Sequence, residues 1–106
     1  MIKEYYIYII ECANGSLYTG ITTDLDRRFD EHKKKKQGAK YTKAFKVKTI
    51  RAAWKTRRII EAKSLAAKLE YQIKRLKRPL KIELIEDKKA FRKIFPEFVG
   101  FSRVKV

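Results

Sequence analysis

The sequence predicts a small α/β domain of the α+β kind, in which a three-stranded, mainly antiparallel sheet is flanked by helices. Three observations predict it. Tyr5 to Ile10 and Leu17 to Thr22 are dense in aromatic and β-branched residues, and Ala13-Asn14-Gly15-Ser16 lies between them with the Asn-Gly signal of a hairpin turn. Val47 to Lys55 has the composition of a third strand. Leu65, Leu69, Ile73 and Leu76 then recur at the spacing of one helix face.

The elements between these landmarks follow from local chemistry. Thr22-Thr23-Asp24 supplies cap residues for a helix starting near Asp24, with Leu25, Phe29 and His32 on one face. From Lys33 to Tyr41 four consecutive lysines and Gly38 predict fraying into a basic loop. Pro79 marks a break or the first turn of a new helix. Leu80 to Ile85 and Lys88 to Phe95 suit one or two short helices, and Pro96 interrupts the last segment. No repeat and no linker is visible, and 106 residues suffice for one core, so residues 1–106 are expected to form a single domain.

Lysine and arginine number 28 against 12 aspartate and glutamate, a formal charge of +16. A polyanion is the natural partner, because phosphate backbones bind such a surface by counterion release. Apolar residues at 44% still provide a core and argue against disorder. No apolar run approaches a membrane span and the first residues lack the apolar core of a signal peptide, so no membrane partner and a cytoplasmic location are expected. Cys12 is the only cysteine, which excludes an intramolecular disulfide and a cysteine-based zinc site; it reads as a small core hydrophobe.

Six residues stand out for chemistry: Tyr8, Tyr18, Gly20, Arg28, His32 and Glu70. Cutting a phosphodiester requires a proton acceptor for the attacking water, a cation for the charge growing on the phosphoryl oxygens, and stabilisation of the leaving oxygen. Tyr8 and Tyr18 lie on strands joined by a short turn, at positions compatible with one sheet face. Arg28 and His32, four apart, share one side of a helix at the border of its apolar stripe. Glu70 flanks the core face of the later helix and is a hard oxygen ligand of the kind Mg²⁺ accepts. Taken singly, each has a plainer role: tyrosines are good sheet residues, a border arginine is commonly solvated, His32 can close a helix, and Glu70 can pair with Lys74.

Tyr6-Ile7-Tyr8, Tyr18-Thr19-Gly20, Arg28 and His32 together resemble the GIY-YIG nuclease superfamily, whose two short strands carry those tripeptides and whose next helix carries the arginine. Leu17 to Asp24, Gly38 to Thr42 and Leu69-Glu70-Tyr71 are similar to its small stand-alone branch. The resemblance covers about residues 5–77, leaving about 79–106 as a helical extension. It implies a metal-dependent endonuclease with one divalent ion, Mg²⁺ or Mn²⁺, held by Glu70. It further implies that Tyr18 or Tyr8 is the general base while the other holds the water, with Tyr18 preferred; that Arg28 stabilises phosphoryl charge; and that His32 assists the base. Gly20 is then a motif residue. Arg27, Lys33, Lys34, Lys35, Lys36, Lys40 and Lys43 are expected to hold nucleic acid, DNA in preference to RNA.

The chain departs from the family in three places. The first tripeptide reads Tyr-Ile-Tyr, Ile21 stands where some relatives place lysine, and the only asparagine, Asn14, lies in the hairpin turn. Weak or partner-dependent activity, with an accessory protein, is compatible with these changes. A module this small is expected to recognise branched, flapped or single-stranded structures by shape rather than by base sequence. Tyr41, Trp54 and Tyr71 are candidates for stacking on bases, though Trp54 in a strand also suits the core. The alternative is a non-catalytic basic module that binds nucleic acid, RNA or the ribosome included.

Overall fold

A computed structural model describes residues 3–34, 46–57 and 59–106. Strands β1 (Tyr6–Cys12), β2 (Leu17–Thr22), β3 (Val47–Lys55) and β4 (Ser102–Arg103) form one antiparallel sheet in the order β2-β1-β3-β4. Helix α1 (Leu25–Lys34) follows β2; α2 (Ala62–Arg75), α3 (Arg78–Glu86) and α4 (Ala90–Ile94) lie between β3 and β4. The expected α+β class is correct, but the sheet has four strands, not three. Two residues cannot display the alternation by which strands are read. Tertiary contacts hold β4 instead: Arg103 donates to the carbonyls of Leu84 and Ile85, both at 3.0 Å, and its guanidinium lies 5.3 Å from the Trp54 ring.

The central strand explains the apolar run that opens the sequence. β1 is paired on both edges, and Ile7, Tyr8, Ile9 and Ile10 are buried on alternate faces. On one face Tyr8, Ile10, Cys12, Val47 and Ala53 pack beneath Leu25 and Phe29 of α1. On the other, Ile7, Ile9, Ala52 and Trp54 meet Ala66, Leu69 and Ile73 of α2, together with Leu84 and Phe91. Trp54, 2% exposed, is therefore a core residue and not a base-stacking one, and Cys12 is buried as expected.

Local signals account for the junctions. Gly15 adopts φ +84° in the hairpin turn, where its N–H donates to the Cys12 carbonyl at 2.9 Å; a left-handed backbone there favours glycine. The Asp24 carboxylate accepts the Arg27 N–H at 3.1 Å and caps α1. Pro79 occupies the first turn of α3, where a missing N–H costs nothing. The helix expected to fray at Lys33 continues through Lys34.

Candidate active site

Register brings the two tripeptides together. Tyr8 faces Gly20 and Ile10 faces Tyr18 across the β1–β2 ladder, so both tyrosines project from the face covered by α1. Their ring centroids are 6.4 Å apart. The Tyr8 ring crosses directly over Gly20: a Cβ built there would collide with the Tyr8 hydroxyl oxygen and Cζ. Gly20 is thus required by the space its neighbour's ring occupies, since its backbone is not left-handed.

His32, fully buried in the last turns of α1, meets that same hydroxyl, with Tyr8 Oη and His32 Nε2 at 2.9 Å. Burial first, and then the charge of Arg28, push the His32 pKa down to about 4, so the ring is neutral near pH 7. Burial, reinforced by Tyr18, raises the Tyr8 pKa well above the ordinary phenol value against the opposing effect of Arg28, so Tyr8 keeps its proton. With both groups neutral, Tyr8 O–H can donate to Nε2 when the imidazole carries its proton on Nδ1. Arg28 acts on the same hydroxyl as hydrogen-bond donor and charge, so one hydroxyl links Arg28 and His32. Tyr18 closes the group with its ring 5.3 Å from His32; burial raises its pKa too, with Arg28 opposing.

The remaining carboxylates flank this cluster. Arg28 also pairs with Glu31 at 3.1 Å, each side chain about a quarter exposed. The i,i+3 spacing of Arg28 and Glu31 was the legible signal for this residue, which sequence reasoning missed. Glu70 arrives from α2 around the β2 edge and bears electrostatically on both tyrosines. It forms the pair with Lys74, at 3.7 Å, that is its plainer role, and Lys74 also stands 6.0 Å from the Tyr18 ring centroid. Among the described residues no group of three or more His, Cys, Asp or Glu comes together. One carboxylate beside two phenol oxygens instead fits a hard ion that retains waters and takes its other ligands from phosphate.

Of the basic residues expected to hold nucleic acid, Arg27 is exposed on α1, Lys33 lies over the Phe29 ring at 5.6 Å, and Lys34 pairs with Asp30 at 2.9 Å. Lys35, Lys36, Lys40 and Lys43, with Tyr41, lie outside the described residues.

The buried imidazole makes a prediction about stability. Between pH 6.5 and about 4 the unfolded chain binds a proton at His32 that the folded one refuses. The neutral ring's contribution is complete above pH 6.5 and is lost as pH falls toward 4. Urea unfolding at pH 7 and 4.5 should show wild type losing about 2 kcal/mol more than His32→Gln on acidification. Equal losses would contradict the buried neutral ring.

Two paired strands each presenting a tyrosine on one face, a glycine beneath one ring, and a following helix carrying arginine and histidine define the GIY-YIG class of catalytic domain. The family model of that domain matches residues 4–83, and the chain belongs to the family. Its relatives are UPF0213 proteins, small single-domain members. One from Halalkalibacterium halodurans is 42% identical over 82 residues, covering 77% of this chain and 82% of that protein. Another from Cupriavidus necator is 49% identical over 74 residues, covering 70% and 75%. The solution NMR structure of a UPF0213 protein from Bacillus halodurans aligns at 36% identity, with TM-score 0.45, over 86% of this chain and 96% of that one. Family membership supports a nuclease-type function, for which nucleic acid is the implied substrate and a divalent metal the general requirement. Among the described residues no helix is long and apolar enough to cross a membrane.

Proposed function

We propose that the protein is a metal-dependent endonuclease that hydrolyses phosphodiester bonds in DNA and selects its target by structure rather than by base sequence. The observation that supports this reading is the linkage of Arg28, Tyr8 and a buried, neutral His32 through one hydroxyl.

In this reading Tyr8, rather than Tyr18, is the general base, because Tyr8 has somewhere to send its proton. Its oxygen takes a proton from the attacking water while its own proton passes to His32 Nε2. The resulting hydroxide attacks phosphorus, the bond to the leaving oxygen breaks, that oxygen takes up a proton from solvent, and His32 returns its proton through Tyr8 to solvent as the products leave. Arg28 exchanges Glu31 for the phosphoryl oxygens and neutralises their growing charge. Phosphate beside Arg28 offsets the positive field that helps depress His32, so substrate itself makes His32 the better acceptor. Tyr18 positions the water. Glu70 would hold one Mg²⁺ or Mn²⁺, which when bound supplies Lewis acidity at the phosphate. The full chain, 1–106, serves as one unit in which residues 5–77 carry the site and 79–106 support it; α1 and the lysines after it steer the polyanion. The location is the cytoplasm.

The test is cleavage of a labelled panel of single-stranded, duplex, flapped and four-way-junction DNA, plus RNA, with Mg²⁺ or Mn²⁺ against EDTA. Wild type should cut branched or flapped DNA only with metal, and Arg28→Ala should lower the rate about 10²–10³-fold. Salt-sensitive binding without cleavage on every substrate would instead establish the non-catalytic module.

A further inference from the structure

Helix α2 presents a second feature beside Glu70 that the catalytic scheme does not use. Tyr71 is 57% exposed, on the side of the helix opposite the fully buried Leu69 and Ile73. The Arg75 guanidinium lies 5.4 Å from its centroid, which orients the ring. Lys68, Tyr71 and Arg75 fall at i, i+3 and i+7, so they form one exposed column of cation, aromatic and cation. Glu70, the only carboxylate within α2, is turned away toward the tyrosines with Lys74. Successive residues of a helix point about 100° apart, so the Tyr71–Arg75 column adjoins the Glu70–Lys74 column without sharing its contacts.

We propose that Lys68, Tyr71 and Arg75 form a platform for an unpaired nucleotide of DNA next to the cleavage site, with the base stacked on Tyr71 and the flanking phosphates held by Lys68 and Arg75. The inference rests on the nuclease reading for its biological use, and it names what that reading leaves general. The structure selected is one in which the strand beside the scissile bond is single. Stacking requires an exposed base face, which duplex DNA does not offer, whereas any unpaired base offers one irrespective of sequence. A strand crossing from Glu70 and Lys74 onto this column meets positive charge on either side of the ring.

The test is fluorescence anisotropy in EDTA with labelled single-stranded, flapped and blunt duplex DNA, using the full chain and its Tyr71→Leu and Tyr71→Trp variants. Tyr71→Leu should weaken binding of single-stranded and flapped DNA about ten-fold and leave blunt duplex within about two-fold, while Tyr71→Trp restores wild-type binding. Melting temperatures of the variants check that α2 is intact. Equal weakening on all three substrates, or none on any, overturns the platform. Because binding is read without metal, a protein that cuts nothing would defeat the nuclease reading and leave this result standing. Normal cutting with unaltered discrimination in Tyr71→Leu would do the reverse.

Discussion

Tyr8→Phe is expected to slow metal-dependent cleavage by about 10²–10⁴-fold while leaving binding of substrate unchanged. In the proposed scheme the hydroxyl, 2.9 Å from His32 Nε2, is the group that hands it a proton, and phenylalanine has no proton to give. Single-turnover rates at saturating protein, with affinity measured separately, distinguish this from loss of binding. The variant also takes the hydrogen-bond partner away from a buried ring nitrogen, so it should lose about 1–3 kcal/mol of stability, which urea unfolding would register. Tyr18→Phe keeps the ring beside His32 and leaves the Tyr8–His32 bond in place, so it should lose less activity than Tyr8→Phe. If Tyr18→Phe were the more damaging, the base would be Tyr18, the one of the two tyrosines preferred from the sequence.

Gly20→Ala is the second large effect. Its Cβ would occupy the place of the Tyr8 hydroxyl, and Tyr8 cannot step aside easily. The Tyr8 backbone is fixed in the central strand, while its ring is confined by Tyr18 and His32. Overpacking of this kind costs about 1–3 kcal/mol. Because the collision falls on the oxygen proposed to react, cleavage should fall about as far as in Tyr8→Phe. The cause is separable by a double-mutant cycle. In a Tyr8→Ala background the same substitution should cost little stability, since the clashing atoms are gone. An unchanged cost would mean that Gly20 is required by its own backbone rather than by the ring above it.

Much of the fold was legible because the strongest periodic signals survive into the tertiary structure. The hairpin, the third strand at Val47–Lys55 and the apolar face of α2 lie where pattern and turn chemistry put them. Strand β4 was not legible, since its two residues are held by Arg103 reaching carbonyls of α3 rather than by any pattern of their own. The candidate site was legible as residue types but not as geometry. Spacing could place Arg28 and His32 on one side of a helix, yet only packing decides that His32 is fully buried against Tyr8 while Arg28 stays partly open to Glu31. The requirement for Gly20 was hidden for the same reason: it comes from a ring on the opposing strand, whose place depends on register. Trp54 and Tyr71, alike as candidate stacking residues in the sequence, separate completely in the structure, one in the core and one on the surface.

Metal-dependent catalysis at this site stands or falls on Glu70→Gln, compared with wild type on one labelled flapped DNA and read twice: binding in EDTA and cleavage in Mg²⁺. The substitution keeps the size of the side chain at a partly exposed position and removes only the charge that would hold the ion. The variant should bind at least as tightly as wild type and cut at least about 10²-fold more slowly. Wild-type cleavage by Glu70→Gln, or cleavage by wild type that persists in EDTA, would contradict a metal-dependent nuclease built on Glu70.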